Sequence, residues 1–268
     1  MLKKQNSIVE IKEHVVLKYT NNPREVAKKY SAVHMIGEQY GFVAPRVLDI
    51  CRDYIVLERI HEISPIRDFY VGSDPVALGI AVRRSGEVLG HLHANLPKNE
   101  STNWNPSPQF ADSLRHYAGR DFDLRLLPRA VLHGDYSFAN IFVVANDPEQ
   151  IAVIDPCANF GSTFSDWTFG PTALDAGKMI ACLEGQVPAK FHLRKPPPQE
   201  IRMLQRAFVE AYRGTGVELD MEAAYCFAYA TTVAQFRRRF GALGRMRSAV
   251  LYNRTRRNFP LDRKMNEL

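Results

Sequence analysis

No glycine precedes Gly37 in this chain of 268 residues. That absence excludes a glycine-rich anion-binding turn from the first two candidate strands, because such a turn needs backbone N–H groups that no side chain screens. The four cysteines, Cys51, Cys157, Cys182 and Cys226, are scattered without paired spacing. They exclude a disulfide framework and a cysteine-built zinc site, and they fit a reducing, cytoplasmic setting. No apolar run reaches the ~18 residues that span a bilayer. The start, Met1-Leu2-Lys3-Lys4-Gln5-Asn6, leads into no signal-like apolar core. Acidic residues are nearly missing near the C-terminus, where ten Lys and Arg residues between Arg237 and Lys264 face only Asp262. No internal repeat is present.

What the chain does contain is ordinary in bulk and specific in one place. Hydrophobic residues make up 46% and charged residues 24%, enough for an ample core in one large domain or a two-lobed one. The specific place is Val131-Leu132-His133-Gly134-Asp135-Tyr136-Ser137-Phe138-Ala139-Asn140-Ile141-Phe142-Val143. An apolar strand runs into His-Gly-Asp, and an amide follows just before the next strand. A second strand pattern, Ile151-Ala152-Val153-Ile154, ends at Asp155. Two carboxylates and an amide beside buried strands suit phosphoryl transfer. That chemistry needs a group to orient an attacking hydroxyl and oxygen ligands for magnesium. A bare His-Gly-Asp turn is also compatible with a simple hairpin; the whole string is not so easily reduced.

The string resembles the catalytic loop of the aminoglycoside phosphotransferase and choline kinase family, the small-molecule branch of the protein-kinase-like fold. There, His-Gly-Asp-x4-Asn takes the place of the protein kinases' His-Arg-Asp-x4-Asn, and a later Ile-Asp stands where they have Asp-Phe-Gly. The resemblance implies that Asp135 is the catalytic carboxylate and that Asn140 and Asp155 hold Mg2+. It implies that His133 and Asp175 are structural supports, with Asp166 a rival to Asp175. His93, in Leu89-Gly90-His91-Leu92-His93, is a further hydrogen-bonding support.

Upstream, Ser7 to Ile11 and His14 to Tyr19 read as two short strands. The second carries Lys18, which resembles the family's phosphate-binding lysine. Read without the resemblance, Lys18 is an edge-strand lysine that discourages aggregation. Pro23 to Tyr40 is predicted to be a helix, capped by Asn21 or Asn22 and stopped at Gly41. The family's helix supplies a glutamate to the strand lysine. By counting, that position falls near Tyr30; Glu25 is the nearest acid in the first half of the helix, Glu38 lies near its end, and Glu25 is the expected partner. Val47 to Ile50 and Tyr54 to Leu57 form a predicted hairpin. The run Ile55 to Ile60 resembles the family's strand leading into the hinge between lobes, which implies that Glu58 to Ile60 border the nucleotide.

Val76 to Asn95 is predicted helical, followed by a loop over Pro97 to Pro108 and a helix over Gln109 to Arg120. The aromatic and glycine-rich stretch Phe160 to Gly170 is a candidate substrate wall. Pro188 to Pro198 reads as a surface loop, and Glu200 to Gly216 and Met221 to Arg257 as helices.

The expected fold class is therefore α+β, a two-lobed protein-kinase-like fold. A reduced, β-rich nucleotide-binding N-lobe takes residues 1–60, and a mostly helical C-lobe with the catalytic loop and substrate site takes 61–268. The implied activity is that of a small-molecule kinase using ATP and Mg2+ on a hydroxyl of a sugar, an aminoglycoside-like antibiotic, an amino alcohol or a lipopolysaccharide sugar. The missing glycine loop leaves three explanations: substitution by the Lys3-Lys4-Gln5-Asn6 segment, a missing start, or lost catalysis. The alternative function is a kinase-like nucleotide-binding or scaffold protein whose Arg-rich C-terminus holds an anionic partner. Nucleic acid is not the expected partner, because no recognition motif accompanies the arginines.

Overall fold

The computed structural model describes residues 9–72, 74–98, 101–106, 108–118, 123–156, 167–185 and 196–231. The expected residues Asp166, Cys157, most of the 160–170 wall, the proline-rich loop before 196 and the arginines from 237 onward lie outside the described residues.

The N-terminal part of the fold contains a four-stranded antiparallel sheet. Its strands are β1 (Val9–Ile11), β2 (Val15–Tyr19), β3 (Val47–Ile50) and β4 (Tyr54–Glu58), in the order β1-β2-β4-β3. Register pairs Lys18 with Val9 on one side and with Ile55 on the other. All three therefore share one face of the sheet. Helix α1 (Pro23–Tyr40) covers this sheet. Proline in its first turn needs no N–H there, and Gly41 ends it in the left-handed region at φ 70°. Asn22 is the N-cap residue, although its side chain makes no cap hydrogen bond.

Helix α1 serves two cores. Ala27 and Tyr30 pack with Ile55 and Leu57 of the sheet, whereas Val33 and Ile36 belong to the large core of the rest of the chain. The 3.6-residue period allows one face to pass from the first cluster to the second along its length.

The remainder combines two small sheets with helices. Strands β5 (Ile63–Pro65), β8 (Ile141–Val144) and β9 (Asp147–Val153) form one sheet; β6 (Ser101–Asn103), β10 (Trp167–Pro171) and β7 (Arg129–Leu132) form the other. The β8–β9 turn has Ala145 at φ 50° and Asn146 at φ 58°. Two positive φ angles give the hairpin turn whose twist matches that of its strands. The helices are α2 (Ile66–Val71), α3 (Pro75–Asn95), α4 (Pro108–Ala118), α5 (Ala173–Leu183) and α6 (Pro198–Gly214), with a further helix over 221–231. The Asp74 side chain caps α3 by accepting from Ala77 N–H at 2.9 Å.

Three short strands depart from the expected pattern. β6 lies inside the predicted Pro97–Pro108 loop and pairs parallel with β10. β10 lies partly in the predicted substrate wall, and β5 was not expected. Each has three to five residues and gains its hydrogen bonds from a partner far away in the chain.

Helix α3 crosses α6 closely. A Cβ at Gly90 would lie 2.2 Å from Thr215 Oγ1 and 2.9 Å from the Tyr212 carbonyl oxygen. Glycine at that point lets the end of α6 approach the helix that carries His93.

Candidate active site

The His-Gly-Asp stretch leaves β7 and reaches β8, so it crosses from one three-stranded sheet to the other. Gly134 adopts φ 88°, a conformation that side chains disfavour and that lets the chain turn sharply before Asp135. Strand β10 lies antiparallel to β7, and α5 follows it directly. That arrangement brings Asp175, in the first turn of α5, against the backbone leaving β7.

Asp175 is fully buried. Its carboxylate accepts the His133 N–H at 2.7 Å and the Gly134 N–H at 3.0 Å. His93 Nε2 lies 3.1 Å from the same carboxylate, and its Nδ1 lies 2.7 Å from the Tyr212 hydroxyl. Burial alone raises a carboxyl pKa. Here the His93 hydrogen bond and charge, with the Gly134 N–H, outweigh burial and hold Asp175 below its ordinary value.

His133 is fully buried, and burial pushes its pKa below the usual value. Its Nε2 donates to the Ile154 carbonyl at 3.1 Å, and its Nδ1 accepts the Asp135 N–H at 3.3 Å. One donor and one acceptor suit the neutral imidazole. Both nitrogens are spent on the backbone, so the ring spaces Asp135 from the segment after β9 that carries Asp155. Asn140 works similarly: its side-chain amide donates to the Asp135 carbonyl at 2.9 Å, and its own carbonyl accepts from Ile154 N–H at 3.0 Å.

Asp155 sits at φ 56°, left-handed for a residue other than glycine. Such backbone is found where the surroundings enforce it, often at functional sites. Its carboxylate forms an ion pair with Lys18 of β2. Lys18 Nζ also lies 3.4 Å from the Tyr30 hydroxyl of α1. Burial lowers a lysine pKa, yet Lys18 is raised above its ordinary value by Tyr30, Asp155 and their hydrogen bonds. Burial pushes the Tyr30 hydroxyl up to about 12, so it is neutral at pH 7. The charge that retains the Lys18 proton is therefore that of Asp155. The second carboxylate, Asp135, forms an ion pair with Lys178 of α5 and accepts from the Ser137 hydroxyl at 3.4 Å.

The structure thus brings Lys18, His133, Asp135, Asn140, Asp155 and Asp175 into one linked set. The expected Lys18–Glu25 pair is not formed. Glu25 pairs instead with Lys28 at 3.3 Å, one turn along the exposed side of α1. Tyr30, one and a half turns further along the helix, is the α1 residue that meets Lys18. Glu58 ends β4 and pairs with Arg46 at 3.5 Å. Ile60 is half-buried, two residues beyond β4. Two residues that contact the set were not expected, Tyr30 as a partner of Lys18 and Lys178 as a partner of Asp135. For Tyr30 the signal was the count along α1; for Lys178 it was the three-residue offset from Asp175.

Among the described residues, no cluster of three or more His, Cys, Asp or Glu side chains could hold a metal ion. Asp155 and Asn140 offer hard oxygen donors close to the same backbone hydrogen bond. That set is too small for a stand-alone cation site. It fits Mg2+, which is held by one or two protein oxygens together with substrate phosphates and water. No helix among the described residues is long and apolar enough to cross a membrane.

The architecture is the α+β, protein-kinase-like fold of the small-molecule phosphotransferases. Three solved structures illustrate the likeness. The GDP and kanamycin complex of APH(2")-IIia matches with TM-score 0.53 at 13% identity, over 94% of this chain and 93% of that one. The streptomycin-ATP-APH(2")-IIa ternary complex matches with TM-score 0.51 at 12% identity, over 87% and 82%. Choline kinase from Cryptosporidium parvum Iowa II matches with TM-score 0.51 at 10% identity, over 96% and 90%. No family model matches the chain, and no curated protein matches it by sequence. Identities this low define a shared fold, not a shared substrate.

Proposed function

We propose that this protein is a small-molecule kinase that moves the γ-phosphoryl group of ATP to a hydroxyl of its acceptor. The observation that carries the reading is the position of Asp135: its backbone is held by His133 and Asn140, the two residues before it by Asp175, and Asp155 meets Lys18 nearby. The fold adds support, since relatives in shape are complexes with GDP or ATP and an aminoglycoside, or a choline kinase.

In this reading residues 1–60 form the nucleotide-binding lobe and 61–268 the lobe that holds the acceptor. Lys18 contacts the nucleotide phosphates, and residues 58–60 border the adenine. Asn140 and Asp155 are the protein ligands of Mg2+, which when bound offsets the negative charge of the phosphates. Asp135 accepts the proton of the acceptor hydroxyl as its oxygen attacks the γ-phosphorus. The bond from that phosphorus to the β,γ-bridging oxygen breaks, and ADP leaves. Asp175 and His133 keep Asp135 in place without touching the reacting atoms.

Asp135→Asn tests the reading, because it keeps the shape of the side chain and removes its capacity as a base. The expected result is loss of at least about 100-fold in phosphoryl transfer, with MgATP binding and the thermal midpoint retained. Full turnover by the folded variant would overturn the assignment. If the folded wild type binds no MgATP, the scaffold reading takes its place.

A further inference from the structure

Asp175 and Lys178 are three residues apart on α5 and so project from the same side of the helix. They grip one loop at two points. Asp175 holds the N–H groups of His133 and Gly134; the Lys178 ammonium pairs with the side chain of Asp135. The Lys178 side chain is 11% exposed and that of Asp135 27%. Withdrawing an ammonium from water is costly. The loop backbone does not need it, since Asp175 already holds that backbone.

The reaction, in contrast, does need cations. Charge in the transition state lies on the non-bridging oxygens of the transferring group, and fixed positive groups stabilise it. The loop itself, Asp135-Tyr136-Ser137-Phe138-Ala139-Asn140, carries no cation. Among the described residues, the lysines held against carboxylates of the site are Lys18 on Asp155 and Lys178 on Asp135. They come from different parts of the fold, β2 and α5.

Building on the kinase reading of Asp135, we infer that Lys178 is a second catalytic cation, whose ammonium turns from Asp135 to a non-bridging oxygen of the γ-phosphoryl group during transfer. The acceptor oxygen bonds to the γ-phosphorus, and the bond to the β,γ-bridging oxygen breaks with its electrons leaving on ADP. The acceptor proton passes to Asp135, while Lys178 keeps all of its protons and only changes hydrogen-bond partner. As Asp135 takes up the proton it loses the charge that held Lys178, at the moment when the transferring group needs a cation.

The test compares two probes by calorimetry on the full chain. MgATP reports the ground state, and MgADP with aluminium fluoride mimics the transferring group. The variants are Lys178→Met, Lys178→Arg and Lys18→Met, each checked by thermal melt. For Lys178→Met the expected result is MgATP affinity within about threefold of wild type and affinity for the aluminium fluoride complex about 100-fold weaker. Lys178→Arg should recover part of that loss, and Lys18→Met should weaken both probes. If Lys178→Met does not fold, Lys178→Gln, which keeps a donor without the charge, carries the same comparison. Wild-type affinity for both probes, or equal loss of both, would reduce Lys178 to a structural ion pair and overturn the inference. Absence of MgATP binding by folded wild type would defeat the nucleotide site itself, and the role of Lys178 with it.

Discussion

Lys18 and Asp155, 137 residues apart in the chain, form an ion pair that ties β2 to the end of the β9 segment. In the proposed reaction both partners have other work, Lys18 on phosphate and Asp155 on the metal ion. Nucleotide and metal must therefore bind together: either alone would leave one of the two charges without its partner. Wild type is expected to bind ATP measurably only with Mg2+. Asp155→Asn should lower that affinity at least about tenfold and strip Lys18 of its countercharge. The cost in stability should be about 1–3 kcal/mol, below that of breaking a fully buried pair because Asp155 is partly exposed. Calorimetry and urea unfolding check the two effects separately.

Tyr30 replaces a carboxylate as the α1 partner of Lys18. Tyr30→Phe removes only the hydroxyl, and it should cost about 1 kcal/mol of stability and raise KM for ATP several-fold more than it lowers kcat. Tyr30→Glu places a charge against Lys18 when Asp155 is taken by metal, and it should bind nucleotide better than Tyr30→Phe. Steady-state kinetics on both variants decides the matter. Equal KM values for wild type and Tyr30→Phe would remove Tyr30 from the site.

Asp175 accepts from two backbone N–H groups and faces His93. Asp175→Asn turns one acceptor into a donor, so at least one buried N–H loses its partner. The expected cost is about 2–4 kcal/mol, with turnover falling about 100-fold because Asp135 is no longer held. Thermal unfolding and turnover of the same preparation provide the check.

His133 gives a prediction in pH. Burial depresses its folded pKa below 6.5, so the unfolded chain binds the extra proton first. Its contribution to stability is complete above pH 6.5 and declines as pH falls toward the folded pKa. Between pH 8 and 5 the urea midpoint of wild type should fall more steeply than that of His133→Gln. His91, also depressed by burial, contributes equally to both proteins and cancels. Parallel slopes would place the acid sensitivity elsewhere.

Much of this site was legible because its geometry is local. Helix α1 could be bounded from Pro23 and Gly41, and the loop from His133 to Asn140 is one continuous string. Long-range chemistry was less legible. Strand β6 is three residues long and owes its existence to β10, more than sixty residues later in the chain, a partnership that no local period announces. Tyr30 was reached by counting, but a buried tyrosine on a helix reads as core, and an acid at Glu25 looked chemically better matched to a lysine. Lys178 looked like any helical lysine until β10 set α5 beside the loop.

The brace on Asp135 also has a consequence for biosynthesis. His133 must wait 42 residues for Asp175, and His93 waits 119 residues for Tyr212. A ribosome therefore delivers the His133–Asn140 loop well before Asp175 and Tyr212. Nascent chains stalled short of Tyr212 should carry the complete loop string without a settled loop, open to proteases and chaperones, and the loop should close only once α6 has emerged.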